Sequence, residues 1–173
     1  MTDTILNFKY GDFDHKVQEA LPYTTCGLDG IFLSNGYRID VVDGEEFIHV
    51  TDVEGLHIAI GKYVATCRKA LSPDEVRFLR KTMDWTQEDL AKKLAKNVQS
   101  IARWEKGEFA IPGPAEKLLR VLFLANTMTL DEITEFKEFL ANKMSELDEA
   151  DETCVPKAQF ELLESWEEKA NAA

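Results

Sequence analysis

A chain of 173 residues with 45% apolar and 30% charged side chains has enough material for one large core or two small ones. It holds no run of about 18 apolar residues and opens without a basic stretch followed by an apolar one, so neither a membrane span nor a secretory signal is expected and the predicted location is cytoplasmic. A net charge of −12 argues against indiscriminate adsorption to nucleic acid. The charge is uneven. Residues 1–70 carry 6 basic and 11 acidic side chains, residues 71–125 carry 10 and 8, and residues 126–173 carry 4 and 13. Only the middle segment is positive. Cys26, Cys67 and Cys154 are far apart, odd in number and in no C-x-x-C pair. Buried thiols in a reducing compartment are therefore expected rather than a disulfide framework.

Residues 1–21 are weakly patterned, with Phe8, Tyr10 and Phe13 as apolar anchors and an early helix around 15–20. Residues 26–50 read as a three-stranded meander: GIFLS, YRIDVV and EEFIHV, separated by Asn35-Gly36 and Asp43-Gly44. Both dipeptides suit type I′ turns, whose two central residues take positive φ. Ile39 and Val41 alternate with Arg38 and Asp40, while Phe47 and Ile48 leave the register of the third strand open. Thr51 and Glu54 form a capping box for a helix to about Thr66. Its face is Val53, Leu56, Ile60 and Val64, widened by Ile58 and Ala59, and it is expected to pack on the sheet. The resulting unit suits partner binding or dimerisation. His15, His49 and His57 have no second ligand at a useful spacing, so no metal is expected.

After a linker over 67–71, Ser72-Pro73-Asp74-Glu75 supplies an N-cap, a first-turn proline and a reciprocal acid. Val76, Leu79 and Met83 face the core, and Trp85 closes the helix. Thr86 and Asp89 cap the next helix, whose apolar face is Leu90, Ala91 and Leu94. Asn97 caps another that runs to about Lys106, with Gly107 as its stop. At roughly 100° per residue, Ser100, Ile101 and Trp104 fall on one side of this last helix, and Val98, Gln99, Ala102 and Arg103 on the other. The first side can root in a core. The second suits a major groove, because an amide pairs bidentately with adenine, a guanidinium with guanine, and a methyl group packs on the thymine methyl. Ile111-Pro112-Gly113-Pro114 then turns into a helix whose expected buried face is Leu118, Leu119, Leu122 and Ala125.

Thr86-Gln87, Leu90-Ala91-x-x-Leu94 and Gln99-Ser100-Ile101-x-Arg103-Trp104-Glu105-x-Gly107 resemble the helix-turn-helix of the Xre/Cro-like DNA-binding family. The resemblance implies that Gln87 binds phosphate at a helix N-terminus. It also implies that Val98, Gln99 and Arg103 read bases, and that Glu105 pairs with Arg80. Two positions depart from the family pattern: Ala95 stands for the turn glycine, acceptable if the turn stays near helical geometry, and Lys96 for the apolar residue after it, adding a phosphate contact. RWEKG followed by IPGPAEKLLRVL is similar to regulators related to MqsA-type (YgiT-type) antitoxins. Those hold zinc through paired cysteines in an N-terminal module, and this chain has only Cys26 there, so zinc is not carried over.

In the tail, Thr129 and Glu132 cap a helix with an apolar stripe of Ile133, Phe136, Leu140, Met144 and Leu147. Pro156 starts a last helix with Phe160, Leu163 and Trp166 on one side; Phe139 and Leu162 add apolar area. These helices either cover the DNA-binding domain or pair with a second copy. The expected fold class is α+β, with an N-terminal meander plus helix over 1–70, an all-α helix-turn-helix domain over 71–126, and acidic C-terminal helices over 127–173. The expected function is a sequence-specific transcriptional regulator, dimeric and repressing. The alternative is an antitoxin that binds a toxin protein and represses its own operon. Expected DNA-binding residues are Thr86, Gln87, Lys96, Asn97, Val98, Gln99, Ser100, Ala102, Arg103 and Lys106. With no G-x-S-x-G, phosphate loop or H-E-x-x-H, no enzyme and no cofactor is expected.

Overall fold

The computed structural model describes residues 6–7, 19–42, 44–128, 158–162 and 165–168. The fold class is α+β, as expected. Its strands are β1 (Leu6–Asn7), β2 (Glu19–Pro22), β3 (Ile31–Leu33), β4 (Tyr37–Val42), β5 (Glu45–Val50), β6 (Ala158–Leu162) and β7 (Trp166–Glu168). Its helices are α1 (Val53–Cys67), α2 (Pro73–Thr82), α3 (Gln87–Lys93), α4 (Val98–Glu105) and α5 (Gly113–Thr127). Two compact units emerge, one from Met1–Ala59 with Pro156–Ala173, the other from Ile60–Val155. The expected acidic helix over 129–147, with Phe139, and also His15, Cys154 and Leu163, lie outside the described residues.

In the first unit, five strands form one sheet in the order β1-β2-β3-β6-β7. Strands β3 and β6 pair in parallel, with Ile31 opposite Ala158 and Leu33 opposite Phe160. All four of these side chains are buried. The expected last helix is therefore corrected. Phe160, Leu163 and Trp166 do recur at steps of three, but Ala158-Gln159-Phe160 alternates in burial at period two, and that pattern is realised. The early helix near 15–20 is corrected too, since Glu19 and Ala20 belong to β2.

The expected strands over 31–50 exist, but they do not form one meander. β4 and β5 make a separate two-stranded hairpin, with Ile39 opposite Ile48 and a two-residue connection between Val42 and Glu45. β3 turns instead to β2 and β6. The reason lies at Asn35. It does not adopt positive φ, so Asn35-Gly36 is no type I′ turn. Its side chain acts as a strand edge: Nδ2 donates to the Leu162 carbonyl at 3.2 Å, and Oδ1 accepts from the Leu162 N–H at 2.6 Å. The indole of Trp166 closes over Gly36 and donates from Nε1 to the Thr51 carbonyl at 3.0 Å.

Helix α1 is capped by Asp52, whose Oδ1 accepts from the Gly55 N–H at 3.0 Å, and not by the Thr51–Glu54 box. Leu56, Ile60 and Val64 are buried as expected, whereas Val53 is exposed. Cys67 at its end is exposed and Cys26 half-buried, which corrects the expectation of buried thiols. His57 Nε2 lies 3.0 Å from the Tyr23 hydroxyl, and His49 Nε2 3.3 Å from an Asp40 carboxylate oxygen. Burial pushes the Tyr23 hydroxyl up and the His57 imidazole down from their ordinary pKa values.

In the second unit the end of α1 packs on α5, where the Phe123 ring fills the space a side chain at Gly61 would need. The buried face of α5 is Ala115, Leu119, Arg120, Phe123 and Leu124. Leu118, 40% exposed, and the exposed Ala125 are off it, which corrects the expected phase. The reason is Arg120. It is 1% exposed and donates to the carbonyls of Val64, Ala65 and Lys69 at 2.9–3.3 Å, while Glu116 neutralises it at 2.6 Å. A cation thus satisfies the orphan carbonyls at the end of α1.

Helices α2, α3 and α4 end alike. In α3 the Lys96 N–H donates to the Ala91 carbonyl at 2.8 Å and the Ala95 N–H to the Lys92 carbonyl at 3.3 Å, a Schellman closure with Ala95 at φ 52°. Asp84 (φ 55°) closes α2 and Gly107 (φ 75°) closes α4 through the same pair of bonds. Ala95 therefore leaves helical geometry altogether, contrary to the expectation for the turn. The left-handed region costs a residue with a Cβ about 1–2 kcal/mol, and glycine's extra unfolded freedom offsets about half of that. We expect Ala95→Gly to stabilise the protein by about 0.5–1 kcal/mol, read as a higher midpoint in thermal unfolding; an unchanged or lower midpoint contradicts this account of the turn.

Candidate nucleic-acid interface

The helix-turn-helix begins with two caps. Thr86 Oγ1 accepts from the Asp89 N–H at 3.1 Å, and the Asp89 carboxylate accepts from the Thr86 N–H at 3.0 Å and hydroxyl at 2.6 Å. Those hydrogen bonds, the side chain's first, hold the Asp89 carboxyl below the usual range. Asn97 Oδ1 accepts from the Ser100 N–H at 2.7 Å and its hydroxyl at 2.9 Å. The polar groups of Thr86, Asn97 and Ser100 are thus engaged in shaping helix starts.

After the second cap, α4 divides by side. Ile101, Trp104 and Glu105 are buried. Val98, Gln99 and Arg103 are exposed, with Ala102 half-buried among them. The exposed row occupies an arc of about 140° at 100° per residue. Lys96 and Lys106, at the two ends of the helix, are exposed as well. Val98, Gln99, Ala102 and Arg103 thus share one side of α4 with Lys106, and the exposed Lys96 precedes the helix.

What fixes that surface is Glu105, 2% exposed. Arg80 grips it with both arms, Nε to Oε1 at 2.6 Å and Nη2 to Oε2 at 2.9 Å, and its third nitrogen donates to the Trp85 carbonyl at 2.8 Å. Gln87 Nε2 donates to Glu105 Oε2 at 2.9 Å. Arg77 donates to the Glu105 carbonyl and lies 4.0 Å from its carboxylate. The pairing with Arg80 implied by the resemblance is present. Gln87, expected at phosphate, points its amide N–H at Glu105, so in this structure it joins α3 to α4. Arg77 was not singled out in the sequence, although its place three residues before Arg80 puts it on the same side of α2. Burial by itself would raise the Glu105 carboxyl, but the bonds from Arg80 and Gln87 and the charges of Arg80 and Arg77 outweigh it and hold it below the usual range.

Behind α4, Leu71, Pro73, Val76 and Trp104 line a pocket of about 210 Å³. That is below the roughly 300–1,000 Å³ of small-molecule sites, so it carries no ligand argument.

These elements are those of a helix-turn-helix: two short helices around a tight turn, the second rooted by Trp104 and open on its far side. Residues 76–122 match the family model described as helix-turn-helix. The match supports a DNA-binding transcription regulator. No curated protein and no solved structure matches the chain. None of the helices described is long and apolar enough to cross a membrane.

Removing one partner of a buried pair leaves an uncompensated charge. Arg80→Ala should therefore lower unfolding stability by about 3–5 kcal/mol in denaturant titration. A carboxyl held low contributes stability that is fully present above its unfolded value of about 4.3 and lost as pH falls through the folded value. We expect Glu105→Gln to flatten the acid limb of a stability–pH profile; an unaltered limb contradicts the assignment.

Proposed function

We propose that the chain is a sequence-specific, dimeric transcriptional repressor that lays α4 in the major groove. One observation carries this reading: the exposed row Val98, Gln99, Ala102 and Arg103 on a helix whose opposite side is fixed by Trp104 and the Arg80–Glu105 pair. Arg103 offers two donors to the O6 and N7 of guanine, Gln99 offers a donor and an acceptor to adenine, and Val98 and Ala102 supply methyl contacts. Lys96 and Lys106 set register on phosphates, helped by the start of α3 at Thr86 and Gln87. Two copies related by a two-fold axis would read half-sites one helical turn, about 34 Å, apart. The acidic remainder of the chain keeps non-specific affinity low, so base contacts carry more of the discrimination. The reading assigns no catalytic step and no cofactor.

A second reading, an antitoxin related to the MqsA type, is favoured by the hairpin β4–β5. Ile39, Val41, Val42, Phe47 and Ile48 are exposed there. Two strands with this much open apolar area suit a protein partner, and the acidic chain favours a basic one. Co-purification with the product of a neighbouring small gene, lost in Ile48→Lys, supports this reading. Absence of any such partner, with no effect of the neighbour on growth, counts against it.

For the leading reading, Arg103→Ala should cost about 1–3 kcal/mol against the selected site and relax preference at one base pair. Lys106→Ala should weaken all sequences alike and reduce the salt slope by about 1. Selection of sites from random DNA at a fixed salt concentration provides the target for both titrations. Wild-type affinity and preference in the Arg103 variant would remove that residue from the reading, and an asymmetric selected site would remove the two-fold.

A further inference from the structure

Phe109 is 61% exposed, more than any other aromatic side chain among the described residues. It borders the small pocket beside Trp104 but stays mostly open to solvent. Its ring lies under a cation: the Arg103 guanidinium carbon is 5.8 Å from the ring centroid. The Glu108 carboxylate meets the same group, with Oε2 3.7 Å from Arg103 Nε. The backbone dictates the arrangement. Gly107 reverses the chain at φ 75°, and the Glu108 N–H donates to the Arg103 carbonyl at 3.0 Å. The two residues after Gly107 are thereby folded back beside the Arg103 side chain.

We propose that Phe109 is a positioning residue for Arg103, and that Glu108 assists it: ring and carboxylate hold the guanidinium at the open edge of α4 before DNA arrives. The inference rests on the DNA-binding reading of α4. An arginine loses much rotamer freedom when it is fixed on a base, and preordering it on an aromatic face lowers that cost. The carboxylate does a second thing. It competes with the base edge for the guanidinium and repels phosphate, so only a site offering two good acceptors displaces it. Phe109 and Glu108 thus act on selectivity at the base pair Arg103 reads, more than on general affinity.

The test uses the full chain and a selected duplex altered one base pair at a time. Arg103→Ala locates the base pair that Arg103 reads. Phe109→Ala should then reduce preference at that same pair by about two- to tenfold, with unrelated duplex binding and the salt slope unchanged. Phe109→Tyr should restore the preference and Phe109→Leu should not, since bulk without a π face does not hold a cation. Glu108→Gln should tighten binding to unrelated duplex while lowering preference. In an Arg103→Ala background, Phe109→Ala should add nothing. Circular dichroism of each variant checks that the helices remain. A Phe109→Ala variant with unchanged preference, or one whose loss persists without Arg103 because the ring itself touches DNA, overturns the positioning role while leaving the reading of Arg103 intact. If Arg103→Ala leaves every base preference unchanged, the reading of α4 fails and this proposal fails with it.

Discussion

The helical unit depends on a buried carboxylate. Taking Glu105 out of water costs several kcal/mol, and only good geometry and a full set of partners recover that cost. Here the set is met from three elements: Arg80 and Arg77 from α2, Gln87 from α3, and α4 itself. A bidentate guanidinium fixes direction as well as distance. One ion pair therefore sets the angle at which α4 stands on α2, and with it the direction in which Arg103, Gln99 and Val98 face. Apolar packing at Ile101 and Trp104 supplies the burial, but a greasy contact is non-directional and would tolerate a rotated helix.

The helices so joined are short. Helix α3 has 7 residues and α4 has 8, below the roughly 12–15 that an isolated helix needs in water. Their stability is borrowed from their ends and neighbours. Side-chain caps from Thr86 and Asn97 satisfy the starts, and paired backbone bonds past Leu94 and Lys106 satisfy the stops. Lys92 and Lys93 near the end of α3 oppose its dipole. Rigid ends suit the proposed role of α4, in which its side chains meet a fixed lattice of base edges. The same closure that ends α4 carries Glu108 and Phe109 back to Arg103, so the stop signal and the surroundings of the Arg103 side chain are one piece of backbone.

The first unit follows a different logic. Its sheet is completed by the far end of the chain, with β6 alongside β3, and its hairpin leaves apolar side chains open. A parallel pair formed by segments 31–33 and 158–160 must close a long loop, whose entropic cost grows only slowly with length. The buried Phe160 and Trp166, with the Asn35–Leu162 bonds, are what repay it.

Local chemistry determined much by sequence alone. The caps at Ser72, Thr86 and Asn97, the stop at Gly107 and the two sides of α4 each follow from residues within a few positions of one another, where short-range geometry decides. The Arg80–Glu105 pair was legible only through resemblance, because no spacing of 25 residues announces a contact. Tertiary structure decided the rest. Pairing of β3 with β6 rather than β4 depended on Asn35 reaching Leu162. The strand at Ala158 prevailed over a helical spacing because β3 offered a free edge. Arg120 went inward because the end of α1 left carbonyls unpaired there, and Phe109 found Arg103 because the chain reverses at Gly107. In each case the deciding partner is distant in sequence, or on the far side of a turn, so no local pattern records it.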